Sequence, residues 1–507
     1  MSDRSRPGMG VTVTTSGSVE ADPQKKEMDM SAAFRIAVMG NFSGNRSSAT
    51  EKPGQIKFIE VDRDNFEDVM GRLNIRIGLQ LSDSDEIQIE ISELDDFHPD
   101  SLYEKLETFS HLRGLRRRLK NNRSYAEAAA EIQGWFPRQA EPEQRAEQPP
   151  EQAAAAEISP TEDNLLDSIL DAQSPATAEA TENAGIDRLI RQIVAPYVEP
   201  KADPGQEKML AMVDQATERH MRDILRHPQF QAVESAWRGL WFLLKRIESD
   251  TKVKVYLLDI GKQALQNELD KEDVKTSNIY RLFCDVSAGD QPWGLIVGHY
   301  CFDDTIGDIL TLANMGVIAA QAEAPFIAAG SEKLVGCESY AQTADYEDWN
   351  YPMADGAEKA WQMLRRSSVA PYIGLVSPAF LLRLPYGRKS SPIDSFPLEE
   401  IAEESDHGSF LWGNPALIKA ECMARNFIQH GWKMQLAAVF QTDNLPVYYV
   451  KDEGETLSKP VTEILLTEKS AEILSTRGLM PLWAVRGGDS IRSTDYRSIA
   501  ETAEVIR

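Results

Sequence analysis

Cysteine is too sparse to organise this chain. The four cysteines, Cys284, Cys301, Cys337 and Cys422, lie far apart. Neither a disulfide framework nor a zinc cluster is indicated, and a reducing, cytoplasmic setting is expected. Long apolar runs are missing too: nothing approaches the roughly 18 consecutive apolar residues of a membrane-spanning helix, so no membrane insertion is expected. Residues 1–31 are polar, without an apolar stretch followed by a small-residue cleavage pattern, which argues against a signal peptide. Positive charge is also short. Lysine and arginine total 54 against 80 acidic residues, a net charge of −26, and such a chain repels nucleic acid unless a local basic patch intervenes. The seven histidines are scattered, with no His-x-x-His or His-Glu-x-x-His element.

What is present fits a mixed α/β (α+β) protein of more than one unit, since 507 residues with 42 % hydrophobic content exceed a single small core. Residues 1–33 form an extended arm, in which Val-Thr-Val-Thr-Thr (residues 11–15) reads as a strand without a local partner. A small unit follows at 34–136. It opens on Phe34-Arg-Ile-Ala-Val-Met39, a strand running into Gly40-Asn-Phe-Ser-Gly44, and a second strand is expected over 56–61. Asp64 is placed to cap a helix beginning near Asn65, with Glu67 completing a capping box. Ile87-Gln-Ile-Glu-Ile91 alternates as a half-buried strand. The leucine stripe over 99–120 predicts one continuous helix.

Alanine, proline and glutamate dominate 137–183, an acidic linker too poor in large apolar residues to pack alone. Its one island, Leu165-Leu-Asp-Ser-Ile-Leu170, predicts a short helix near 164–172 that docks either on its own chain or on a partner. The larger α/β unit spans 184–485. Helices are expected over 186–198, 207–224, the apolar run around Trp237, 309–326 and 415–430. Strands are expected over 253–258, 293–297, 372–376, 434–439 and 447–450. Residues 486–507 read as a polar, peripheral tail.

No catalytic, cofactor-binding or metal site is assigned. Gly40-Asn-Phe-Ser-Gly44 sits where phosphate loops occur, but lacks the Lys-Ser/Thr ending of a P-loop and the three spaced glycines of a dinucleotide fingerprint. His98, before Pro99, reads as the turn opening a helix. Asp303, Asp304 and Asp308 could gather a cation, but a solvated helix start gives the same pattern, and Ser331 lacks a Gly-x-Ser-x-Gly context. Arg113, Arg116, Arg117, Arg118 and Lys120 read as a solvated helix face and C-terminus, or as a basic seam facing an acidic neighbour. Arg383, inside Phe380-Leu-Leu-Arg-Leu-Pro-Tyr-Gly387, must reach solvent or a carboxylate; Glu399, Glu400, Glu403 and Glu404 are the nearest choices.

Several motifs carry a family resemblance. Val38-Met-Gly-Asn-Phe-Ser-Gly44, the stretch from Phe58 through Asp62, Asn65 and Met70, Leu94-Asp-Asp-Phe-His-Pro-Asp100 and Leu115-Arg-Arg-Arg-Leu119 resemble the small sheath subunit of the bacterial type VI secretion system. His227-Pro-Gln-Phe230 with the helix to Leu240, Ala324-Pro-Phe-Ile-Ala-Ala329, the Arg383 segment, Leu411-Trp-Gly-Asn414 and Pro460-Val-Thr-Glu-Ile464 resemble its large subunit. The resemblance implies a small sheath-subunit-like domain joined by the acidic linker to a large one, in a non-catalytic cytoplasmic sheath that self-assembles around an inner-tube protein on a baseplate. It also implies strand exchange through residues 11–13 and dismantling by an AAA+ ATPase that recognises the helix at 164–172. Family large subunits continue for several dozen residues beyond the part matched by 462–481, whereas 486–507 bear little likeness to them. The alternative is a non-polymerising accessory or baseplate-associated protein.

Overall fold

The computed structural model describes residues 31–44, 56–81, 86–121, 123–134, 205–247, 252–271, 273–284, 291–401, 407–434, 439–452 and 455–501. The expected elements at 11–15, 164–172 and 186–198, and the whole of the linker at 137–183, lie outside these residues.

The first segment contributes β1 (Phe34–Gly40), β2 (Ile59–Val61), α1 (Phe66–Leu73), the hairpin β3 (Ile75–Gln80) and β4 (Glu86–Ile91), α2 (Pro99–Lys105), α3 (Glu107–Lys120) and α4 (Tyr125–Gly134). After residue 204 come α5 (Gln206–Leu225), α6 (Pro228–Arg246), β5 (Val253–Asp259), α7 (Lys262–Leu269), α8 (Asn278–Cys284), β6 (Trp293–Phe302), α9 (Ile306–Gln321) and β7 (Phe326–Gly330). They are followed by α10 (Ala357–Arg365), β8 (Ile373–Ser377), β9 (Phe380–Leu381), β10 (Trp412–Gly413), α11 (Ala416–His430), β11 (Phe440–Thr442), β12 (Tyr449–Asp452), β13 (Glu455–Ser458), α12 (Glu468–Thr476), β14 (Leu479–Ala484) and β15 (Ile491–Ser493).

Nine strands form one sheet in the order β11-β15-β14-β8-β7-β6-β1-β5-β2. β1 is parallel to both neighbours, β5 and β6, although each lies across the linker in sequence. All seven β1 residues are buried, as a central parallel strand covered on both faces requires. Because side chains alternate across a strand, Phe34, Ile36 and Val38 enter one core while Ala37 and Met39 enter the other. The first core holds α1, α3, α5, α6 and α11; the second holds α7, α9, α10 and α12.

Several local readings are corrected. Helix α1 is N-capped by Asn65 without a side-chain cap bond, so the Asp64–Glu67 capping box does not form. Asp62 shapes that turn instead, its Oδ1 accepting from the N–H groups of Asp64 and Asn65 at 2.9 Å each. The helix expected over 99–120 breaks at Leu106, whose backbone is extended (φ −77, ψ 132), yet Leu102, Leu106, Phe109, Leu112, Leu115 and Leu119 all stay buried. The helix expected over 309–326 runs from Ile306 to Gln321. Glu323 then takes a left-handed φ of 52°, and Pro325 disfavours helix in the residue before it. Of the strand expected at 434–439, residues 435–438 lie outside the described residues and β11 begins at Phe440. The polar tail is not peripheral over its described length. β15 joins the sheet, Tyr496 and Ile499 are buried, and the Ile499 N–H donates to the Ile373 carbonyl at 2.9 Å.

Candidate functional site

Among the described residues, many specific contacts lie along the seam between 31–134 and 205–501. At its centre the turn after β1 is held by the second segment. Trp237 Nε1 donates to the Phe42 carbonyl at 2.8 Å, and the Phe42 and Trp237 rings meet edge-on at 5.2 Å. Phe66 packs against Trp237 at 5.5 Å and Trp241 at 4.8 Å. Where the chain approaches β1, Trp432 Nε1 donates to the Ala32 carbonyl at 2.8 Å, and Phe34 stacks on Phe427 at 4.9 Å. Arg35 is accommodated within a buried strand because its guanidinium lies 4.0 Å from the Trp293 ring centre and Nη1 donates to the Gln291 carbonyl at 2.8 Å. Such aromatic and cation–π pairs add direction to apolar burial.

A second patch joins α2 and α3 to the second segment. Phe97 meets Phe230 at 5.6 Å, His98 meets Tyr386 at 5.0 Å and Tyr103 meets Phe396 at 4.8 Å. His98 opens α2 as expected, its Nδ1 accepting from the Asp100 N–H at 3.3 Å; His227 opens α6 in the same way. Asp100 accepts from the Ser395 N–H at 3.0 Å. The basic stripe on α3 divides. Arg113 bonds to the Tyr103 carbonyl and Arg118 to Glu131, both within the first segment. Arg116 crosses the seam to Asp214 at 2.6 Å and to the Ser395 carbonyl at 2.8 Å. The acidic neighbour this arginine meets therefore belongs to its own chain. His220 meets Phe109 at 4.9 Å with the rings tilted by 58°, and burial pushes its pKa down to about 4, so it packs as a neutral ring.

Beneath the His98–Tyr386 contact lies a buried ion network. Arg383 Nε donates to Glu234 at 2.8 Å, and its Nη1 and Nη2 grip Glu400 at 2.8 and 2.9 Å. Arg238 donates to the same Glu234 at 2.6 Å, and the Tyr386 N–H donates to Glu400 at 2.7 Å. The carboxylates of Glu234 and Glu400 are 0 % and 1 % exposed and Arg383 is 10 % exposed. Burial alone would raise the Glu234 carboxyl, but Arg383 and Arg238 outweigh it and hold the group below its usual range. Of the four glutamates proposed from sequence, Glu400 is the partner. Glu399 instead accepts from the Arg388 N–H at 3.3 Å, while Glu403 and Glu404 lie outside the described residues. Glu234 was missed. The available signal was its place on the apolar stripe of α6, four residues after Phe230 and three before Trp237.

The other candidates carry no constellation for chemistry. Asp308 accepts from Lys262 at 2.5 Å and from the Asp303 N–H at 2.6 Å, Asp303 pairs with Lys333 at 3.0 Å, and Asp304 accepts from the Ala354 N–H at 2.7 Å. Each carboxylate thus serves a different local contact, and among the described residues no group of three metal-ligating side chains occurs. Ser331 caps the short turn at 332–335. Trp412 and Gly413 pair with β9, and Asn414 ties the following helix to the Tyr300 carbonyl at 3.0 Å.

The two sides of this seam correspond to two known families. Residues 12–138 match the VipA family model, described as "Type VI secretion system, VipA, VC_A0107 or Hcp2". Residues 207–498, more than half of the chain, match the VipB model, "EvpB/VC_A0108, tail sheath N-terminal domain". The chain is also 32 % identical over 308 residues to the type VI secretion system sheath protein TssC1 of Pseudomonas aeruginosa, covering 59 % of this chain and 62 % of that protein. It thus spans less than two thirds of that relative's length.

Proposed function

The chain belongs to the type VI secretion tail-sheath family, and we propose that it acts as a fused sheath protomer, in which the small and large subunits are one polypeptide that assembles around an inner tube. The observation that carries this reading is β1, a strand of the VipA-like segment lying inside the sheet of the VipB-like segment. Fusing units that share a sheet makes their association intramolecular, fixes equal stoichiometry, and sets their effective concentration through residues 137–183. Sheath contraction needs rigid protomers with two alternative packings and no catalytic centre. The seam supports a rigid protomer because its two sides are held by backbone pairing, aromatic contacts and the Arg116–Asp214 ion pair.

Within this reading residues 11–13 exchange a strand with a neighbouring protomer, the assembly sits on a baseplate in the cytoplasm, and the helix expected at 164–172 is the handle for an AAA+ disassembly ATPase. Among the described residues no helix is long and apolar enough to cross a membrane. The test is electron microscopy of the purified chain, alone and with its cognate inner-tube protein. Ordered hollow tubes are the expected result. Discrete particles under both conditions would refute the polymerising role and favour an accessory bound at the baseplate.

A further inference from the structure

We propose that the Gly40–Gly44 turn is an oxyanion-binding nest whose anion is the protein's own Asp259 carboxylate, making Asp259 the residue that positions β1 in the sheet. Five parallel strands run in the order β5-β1-β6-β7-β8. In chain order this is 2-1-3-4-5, an arrangement in which open α/β sheets bind anionic ligands beyond the carboxyl end of the first strand. The turn after β1 occupies that place. Its consecutive amides, Phe42 N–H and Ser43 N–H, converge on a single oxygen, Asp259 Oδ1, at 2.7 and 3.1 Å. Successive backbone N–H groups converging in this way form an anion-binding concavity. The turn is closed by Asn41 Oδ1, which accepts from the Gly44 N–H at 3.1 Å, and by the left-handed φ of 77° at Gly44.

Asp259 is half-buried, and two facts separate it from an ordinary acid at a strand end. Among the described residues Asp259 forms no ion pair, and its side-chain hydrogen bonds are to those two amides. The carboxylate also comes from across the seam, beside the paired positions Gly40 and Asp259. The Ile260 N–H donates to the Gly40 carbonyl at 2.8 Å, and the Arg76 N–H donates to the Ser43 carbonyl at 3.1 Å. A slip of β1 by one residue would carry both amides off the carboxylate and exchange the strand's two buried faces. The resemblance to a phosphate loop without its lysine is thereby explained: the amides are already occupied by an internal anion. This inference holds whether or not the chain polymerises.

The test is chemical rescue in the full-length chain. Asp259→Ala vacates a space the size of a carboxylate and leaves the nest amides unpaired, so the thermal midpoint should fall by several degrees. Sodium formate, and separately inorganic phosphate, should restore much of that loss saturably when titrated against sodium chloride at constant ionic strength. The unsubstituted chain should show only the smaller, non-saturating shift that excluded anions give any folded protein. Asp259→Asn keeps an acceptor oxygen in place and should lose less stability without responding to formate. If Asp259→Ala does not fold in chloride alone, its refolding yield from urea should rise in formate. An unchanged midpoint in Asp259→Ala, equal anion responses in substituted and unsubstituted chains, or a refolding yield indifferent to formate would each overturn the proposal.

Discussion

Arg383→Met is expected to cost about 3–5 kcal/mol of folding stability, the range for removing one partner from a buried ion pair. The loss comes less from the missing attraction than from what remains. Glu234 and Glu400 are essentially unexposed, and Glu400 would keep only the Tyr386 N–H among its close donors. Arg238 still reaches Glu234, so the Glu400 side is the more damaged. Methionine preserves much of the volume of the arginine stem, which separates the charge effect from a packing defect. Adding Glu400→Gln should therefore recover part of the loss, because a neutral amide oxygen can still accept from Tyr386. Urea unfolding monitored by tryptophan fluorescence measures both. A cost below about 1 kcal/mol for Arg383→Met would show that water reaches the site and that the network is not the closed ion cluster described.

Removal of residues 1–134 should leave the rest of the chain insoluble, and supplying them as a separate polypeptide in the same cell should restore it. Without β1, no strand lies between β5 and β6. β5 would also lose β2 and stand without a partner on either side, while its unpaired amides and carbonyls became an open edge. On one face of the sheet Trp237 would lose Phe66 of α1, and Phe230 would lose Phe97 from the turn before α2. Exposed apolar area and unpaired edges together favour aggregation. A soluble, cooperatively folding fragment beginning at residue 205 would contradict this.

Local pattern revealed much of the chain. The apolar run of β1, the alternation of β4, the apolar face of α1 and the apolar run of α6 around Trp237 were legible because each depends on residues close in sequence. Arg383 was legible as a problem, since a charge in an apolar run demands an answer, and Glu400 lay near enough to be named. Glu234 was hidden because its partner is 149 residues away, although its position on an apolar helix stripe was the corresponding sign on the other side. The turn after β1 could be excluded as a P-loop, but not explained, because its anion arrives from a strand more than 200 residues later. The break at Leu106 escaped because no glycine or proline marks it. The tail was misjudged because Ile491, Tyr496 and Ile499 are dispersed among polar residues, so composition concealed three buried anchors.

The claim that two family units fold as one protomer is tested most directly by cutting between them. A site-specific protease sequence placed within 137–183 allows the purified, folded chain to be cleaved under native conditions. The two fragments should then co-elute on size exclusion and unfold in a single thermal transition, because β1 stays seated between β5 and β6. Fragments that separate while each keeps its own circular dichroism and its own transition would contradict it.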